Sequence, residues 1–250
     1  MAERTFHAVI LKRKDSGETD RRLTILTQEA GVMDVVARGA RKSASRLSGA
    51  SEPLAACILH VAEGKVNSFV TQAQPVTSFP GLRADYERLS LGLALAELAA
   101  AVLPHEQPAN EAFTIVVSSL KYIETHDKPL VSLVWSELQL MNLAGFLPDF
   151  LHCVVSGAPV AEASAFLSPH AGGYVVAGEA GRYTDRYLVR AEVLYGLAAM
   201  AELDSPPSNL KYVEECVVAL YPFWRAIAEK ALPANEEVVR ELGMRDGPRP

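Results

Sequence analysis

The sequence predicts an α+β chain in two parts: a small closed β-barrel at the N-terminus, then an α-helical domain with an irregular insertion. Three observations predict it. Short runs rich in Val, Ile, Thr and Phe, separated by turn signals, fill residues 1–80. After "SFPGLR" (78–83) the apolar period becomes helical. The charge changes sign at the same place. Residues 1–83 hold twelve Lys/Arg against eight Asp/Glu, residues 84–250 twelve against twenty-two, and the whole chain stands at −6.

The strand signals come in order as "TFHAVILK" (5–12), "RRLTILT" (21–27), "VMDVVAR" (32–38), "LAACILHVA" (54–62) and "KVNSFVTQAQPVTSF" (65–79). "DSGETD", "QEAG", a small-residue run and "EGK" punctuate them, as hairpin and loop segments do. Five short strands in so short a span suit a closed barrel, which leaves no unpaired edge. "RADYERLSLGLALAELAAAVL" has apolar residues at helical spacing and stops at Pro104. Asn110 is placed as the N-cap of "EAFTIVVSSLKYIETH". "PLVSLVWSELQLMNLAGF" carries a stripe at Val131, Val134, Trp135, Leu138 and Met141, and Gly145 ends it. Residues 148–184 show no helical period and form the irregular insertion. Helices are expected again over "DRYLVRAEVLYGLAAMAEL" and "PPSNLKYVEECVVALYPFWRAIAEKAL", with "MRDGPRP" as a frayed tail. The domains predicted are therefore a barrel over 1–80 and a helical domain over 84–250.

A length of 250 residues allows one large domain or two to three small ones, and 49% hydrophobic residues allow a real core. No apolar run reaches the roughly 18 residues that span a bilayer. The richest, "LSLGLALAELAAAVL" (89–103), is interrupted by Glu97 and reads as a buried helix. At the N-terminus the short apolar run precedes the basic cluster, the reverse of a secretory signal. Cys57, Cys153 and Cys216 lie far apart with no pairing pattern, which suits reduced thiols and a cytoplasmic protein.

Catalytic signatures are missing. The chain has no GxxxxGK[ST] phosphate loop, no HExxH and no GxSxG. The Gly pair in "HAGGYVVAGEAG" lacks dinucleotide-binding spacing, the six histidines are scattered, and Glu214–Glu215 face different sides of a helix. The cations are more informative. "VARGARKSASRLSGASEPL" (36–54) holds Arg38, Arg41, Lys42 and Arg46 with no acid before Glu52. "LKRK" (11–14) brings Lys12 and Lys14, and "DRR" (20–22) brings Arg21 and Arg22. If strands one and two form a hairpin, Lys12 and Lys14 share a face near Arg22. Strand-end cations on a small barrel make a track for a phosphate backbone, and a Gly/Ala/Ser linker lets the loop cations follow an irregular anion. Arg38 can also belong to strand three and pair with Glu52. The candidate DNA-binding residues are thus Lys12, Lys14, Arg21, Arg22, Arg38, Arg41, Lys42 and Arg46.

The stretch "GETDRRLTILT", the spacing of "GVMDVVARGAR" (31–41) and "SRLSGASEP" (45–53) together resemble the RecO family of bacterial DNA repair proteins. "SFPGLRADYERL" and "ELQLMNLAGFLPDFLHC" extend the resemblance down the chain. It implies that the barrel is an OB-fold and that the protein is a non-catalytic recombination mediator. Such a protein binds single- and double-stranded DNA, anneals complementary strands and helps load recombinase onto coated single strands. The partners implied are RecR and the acidic tail of single-stranded DNA-binding protein, in a cytoplasmic, nucleoid-associated setting with no membrane. Lys211, Arg225 and Lys230 are candidates for the rim of an apolar pocket for that tail. Two other classes stand beside this reading: an adaptor that touches DNA only through partners, and a small-molecule enzyme with a pocket in the helical domain, for which the sequence shows no convergent polar groups.

The chain departs from the family at a four-cysteine zinc site. Only Cys153 is retained, while Ser156, Val176 and Glu179 stand at the other three positions. Zinc takes about four donors in a tetrahedron. His152 and His170 fit no familiar spacing, so no metal cofactor is expected. The barrel segment also has only Phe6, Phe69 and Phe79 as aromatics. Stacking platforms being scarce, phosphate contacts are expected to dominate, which would tolerate both forms of DNA.

Overall fold

A computed structural model describes residues 3–228 and 230–243, so the expected frayed tail, 244–250, lies outside the described residues. The chain divides into two compact units, Met1–Thr125 and His126–Pro250.

The first unit opens with β1 (Glu3–Ser16), β2 (Asp20–Thr27) and β3 (Gly31–Ala37), then α1 (Leu47–Ala50), β4 (Ala56–Glu63) and β5 (Ser68–Thr77). The five strands close into a barrel in the order β1-β2-β3-β5-β4, the arrangement of an OB-fold. Every pairing is antiparallel except β3 with β5. Strand alternation sends Phe6, Ala8, Ile10, Leu23, Ile25, Val35, Leu59 and Val61 into one buried core. The turn "QEAG" requires its glycine, since Gly31 has φ +66° and a Cβ there would lie 2.4 Å from the Gln107 carbonyl oxygen.

A bulge in β1 decides which cations face out. Ile10 pairs with Ile25 and Lys12 with Thr24, so Leu11 is an extra residue. Leu11 is buried. Uninterrupted alternation from Phe6, Ala8 and Ile10 would turn Lys12 and Lys14 into the barrel; the bulge flips them outward and puts Arg13 and Asp15 on the inner side.

The small-residue run, expected as a flexible linker, is a folded connection. The Arg41 N–H donates to the Thr19 carbonyl at 2.9 Å and the Gly39 N–H to Asp20 Oδ1 at 2.8 Å. The Gly39 bond, with a second from the Thr19 hydroxyl and the fields of Arg38 and Lys42, holds the Asp20 carboxyl below the usual carboxylate range against a smaller opposing effect of desolvation. Ala40 and Ala50 enter the barrel core. Small side chains are what the narrow barrel mouth can accept, so the run plugs the mouth as well as crossing it.

Three helices complete the unit: α2 (Pro80–Ala84), α3 (Tyr86–Val102) and α4 (Asn110–Thr125). Asp85 caps α3 by accepting the Arg88 N–H at 2.9 Å. α3 packs against both the barrel and α4, is buried on more than one face, and α4 also touches β1, β2 and β3. No helix among the described residues is long and apolar enough to cross a membrane.

The second unit contains α5 (Pro129–Leu143), β6 (Ser164–Ser168), β7 (Gly173–Val175), α6 (Ala177–Ala180), β8 (Tyr187–Arg190), α7 (Ala191–Ala201), α8 (Val213–Ala228) and α9 (Pro233–Glu241). Gly145, at φ +75°, follows the end of α5 in the left-handed conformation that favours glycine. The insertion is more regular than its sequence suggests: β7, β6 and β8 form a three-stranded sheet. These strands are three to five residues long, too short to show a period. β8 also takes four residues from the stretch expected to be one helix over 185–203, because Tyr187–Arg190 pair with β6. Likewise the helix expected over 206–232 runs only Val213–Ala228 and carries Pro222 inside it.

Within this unit Glu137 of α5 is 2% exposed, and its Oε2 accepts the Trp224 Nε1–H at 3.0 Å. Burial pushes the carboxyl up to about 8, and the Trp224 bond pulls it partly back. A carboxyl raised in the folded state contributes stability fully below its unfolded value of 4.5 and loses it as pH rises through about 8. Glu137→Gln keeps the acceptor and removes the titration. Urea unfolding at about pH 5 and about pH 8.5 is expected to show a larger loss of stability for the unsubstituted protein than for the Gln variant. Equal losses would show that Glu137 does not titrate between those values.

Candidate nucleic-acid interface

The strand registers turn scattered cations into an ordered face. Lys14 lies directly opposite Arg22, Arg22 opposite Val36, and Val36 opposite Phe69. One row on the outside of the barrel therefore crosses β1, β2, β3 and β5. Lys12 stands one pleat away, opposite Thr24. Lys12, Lys14 and Arg22 are exposed. Facing positions on neighbouring strands are about 5 Å apart at Cβ, and like charges there repel. Among the described residues no carboxylate comes within 4.0 Å of Lys12, Lys14, Arg22, Lys42 or Arg46. Lys42 and Arg46 are exposed on the connection from β3 to β4.

Arg21 differs from its neighbour because it lies on the inner side of β2. Its Nη1 donates to Ser48 O at 3.0 Å, Ser51 Oγ at 2.7 Å and Glu52 Oε1 at 3.0 Å, and its side chain is 12% exposed. Arg13 reaches the same Glu52 oxygen at 2.6 Å. Glu52 thus ties β1, β2 and α1 together at the barrel mouth. Removing one partner of such an enclosed charge leaves the other unpaired, which is destabilising. Arg21 is held inside this network and does not share the outer row.

Arg41 and Arg38 occupy intermediate positions. Arg41 Nη1 donates to Gly17 O at 2.9 Å, and its Nε lies 3.4 Å from Asp15. Arg38 does not pair with Glu52, which Arg13 and Arg21 hold; its Cζ sits 3.8 Å above the centroid of the Phe69 ring. In the sequence Phe69 is only one of three phenylalanines within residues 1–83. Phe6 is fully buried and Phe79 is 2% exposed, which leaves Phe69 as the half-buried one, beside the basic row.

In the second unit, the three cations named for a tail pocket have different surroundings. Arg225 donates to Glu236 at 2.8 Å, Lys211 Nζ lies 4.6 Å over the Tyr212 ring, and Lys230 is exposed. An apolar cavity lined by Phe146, Leu147, Phe223 and Ile227 includes none of them.

The residues at the zinc positions do not fit zinc. Cys153 Sγ accepts the Val176 N–H at 3.4 Å, so the third position supplies a backbone donor to the sulfur. Burial alone would raise the thiol, but hydrogen bonds from Ser156, Val176 and Val155 outweigh it and hold the thiol below its ordinary value. Glu179 pairs with Arg182 at 2.8 Å. Asp149 Oδ1 accepts the Leu151 and His152 N–H groups, and Asp185 accepts the Ser168 hydroxyl and the His170 N–H. Among the described residues no three His, Cys, Asp or Glu side chains converge as metal ligands do. Protein purified without added zinc is expected to hold far less than one zinc per chain by elemental analysis. A content near one per chain, with tetrahedral ligands about Cys153, would contradict this.

Comparison with known families gives two adjoining matches. Residues 1–79 match the family described as Recombination protein O N terminal, and residues 83–221 the one described as Recombination protein O C terminal. The chain is 37% identical over 166 residues to the DNA repair protein RecO of Roseiflexus sp. (strain RS-1), covering 66% of this chain and 58% of that protein. It is 32% identical over 201 residues to that of Heliobacterium modesticaldum, covering 79% and 73%. With the Gloeobacter violaceus protein of the same name it shares 29% over 216 residues, 85% of this chain and 83% of that one. The match thus spans under two thirds of the Roseiflexus protein and most of the other two.

Proposed function

The chain belongs to the RecO family of DNA repair proteins, and from that premise we propose that it is a non-catalytic mediator that binds single- and double-stranded DNA, anneals complementary strands and helps load recombinase onto coated single strands. The observation that carries the DNA-binding part is the unneutralised row on the barrel, above all Lys14 opposite Arg22. A like-charge pair across two strands is unfavourable by itself. A phosphate backbone laid over it supplies the missing countercharge and releases the condensed counterions.

In this reading Lys12, Lys14, Arg22, Lys42 and Arg46 hold phosphates directly, and Arg41 joins them from the rim. Arg21 is a positioning residue that keeps the mouth closed and the row flat. Annealing needs no covalent step: cations that bind two backbones at once offset the repulsion between them. The acidic surplus of residues 84–250 disfavours DNA elsewhere on the chain. RecR and the acidic tail of single-stranded DNA-binding protein are the proposed protein partners, in the bacterial cytoplasm at the nucleoid.

The salt dependence of binding to a duplex tests this. Changing both Lys14 and Arg22 to Ala is expected to flatten the slope of log K against log salt by roughly 0.9 per lost contact. Affinity falls alike for all sequences, since phosphates carry no base information. Folding stability stays within about 0.5 kcal/mol, because the variant removes an exposed repulsion. Unchanged affinity and slope would remove these residues from the interface. If the unsubstituted protein alone shows no salt-dependent binding, the adaptor reading replaces this one.

A further inference from the structure

We propose that Arg38 and Phe69 form a stacking platform for one unpaired nucleobase, so that the basic face discriminates single strands from duplex. The proposal rests on the DNA-binding reading above and assigns it a base-reading element that a purely phosphate-holding row lacks.

The geometry is that of a cation over an aromatic face. The Arg38 guanidinium lies 3.8 Å above the Phe69 ring centroid. Arg38 is exposed, and among the described residues no carboxylate lies within 4.0 Å of it. Asp20 feels its field but uses its Oδ1 on the Gly39 N–H and the Thr19 hydroxyl. The register places Phe69 at the end of the row that begins with Lys14 and Arg22. The hairpin tip beyond it, before β5, exposes Lys65 and Val66, the latter 89% exposed.

The chemistry follows from these positions. A guanidinium is planar, delocalised and weakly hydrated, so it stacks on aromatic faces and can be stacked on from its other side. The contact with the ring engages one face of Arg38 and leaves this exposed side chain its other face for a further planar group. A base with a free face can add to the stack. A base in a duplex already has neighbours on both faces and offers only its edges and its phosphates. Single strands therefore engage the lysines and the platform together, and duplex engages the lysines alone.

The test compares a thymine oligonucleotide, the same oligonucleotide with its bases removed, and a duplex of equal length, at one salt concentration. Arg38→Lys keeps the charge and loses the plane; Phe69→Leu keeps an apolar side chain and loses the ring. Each is expected to weaken binding to the base-bearing single strand by roughly 5- to 100-fold, with duplex affinity and salt slope unchanged. The unsubstituted protein is expected to lose a similar factor on the base-free strand, and Arg38→Lys to bind both single strands alike. If the unsubstituted protein binds base-bearing and base-free strands equally, the platform is wrong while the phosphate row stands. Equal losses on duplex and single strand would make Arg38 an ordinary phosphate contact and also overturn it. If the unsubstituted protein binds none of the three, the DNA-binding reading itself fails.

Discussion

The β1–β2 pairing register, set by the bulge at Leu11, is the constraint on which the basic face depends. On its N-terminal side Phe6, Ala8 and Ile10 build the barrel core; on its C-terminal side Lys12 and Lys14 stand in solvent. Neither arrangement survives a shift of one residue, because alternation would exchange the two faces. The buried Leu11 resists such a shift, since moving it would expose an apolar side chain worth roughly 1.5–3 kcal/mol of burial. The position of every cation in the outer row is thereby coupled to the packing of the core beneath it.

The same alternation sorts the barrel cations by role. Arg21 and Arg22 are adjacent in sequence and lie on opposite faces. One closes the mouth through Glu52, and the other has no carboxylate within ion-pair distance among the described residues. Arg13 joins Arg21 on the inner side, and Ala40 and Ala50 fill the mouth behind them. The connection after β3 thus presents Lys42 and Arg46 from a secured base. In the second unit, hydrogen bonds to Cys153 and to the carboxylates of Asp149 and Asp185 tie down the segment that precedes α7.

Much of this was legible in the sequence, for identifiable reasons. The five barrel strands could be read because alternation and turn residues are local signals. The residue types at the four expected zinc positions could be read directly, since Cys153 has a thiol and Ser156, Val176 and Glu179 have none. The inward turn of Arg21 could not, because a strand's two faces are equivalent until its partners are known. The stack of Arg38 on Phe69 joins β3 to β5 through a parallel pairing that no turn announces. The sheet of the second unit is not legible in the sequence because its strands are too short for a period, and β8 sits against α7 in a run that reads as helix throughout.

The most direct test of the central claim is to map which lysines a bound oligonucleotide shields. Chemical acetylation followed by mass spectrometry, with and without a single-stranded oligonucleotide at low salt, reads every lysine at once. The account predicts protection of Lys12, Lys14 and Lys42, with Lys128 and Lys211 reacting as they do in the free protein. Protection of Lys128 or Lys211, with Lys12, Lys14 and Lys42 unchanged, would contradict it and move the DNA off the barrel.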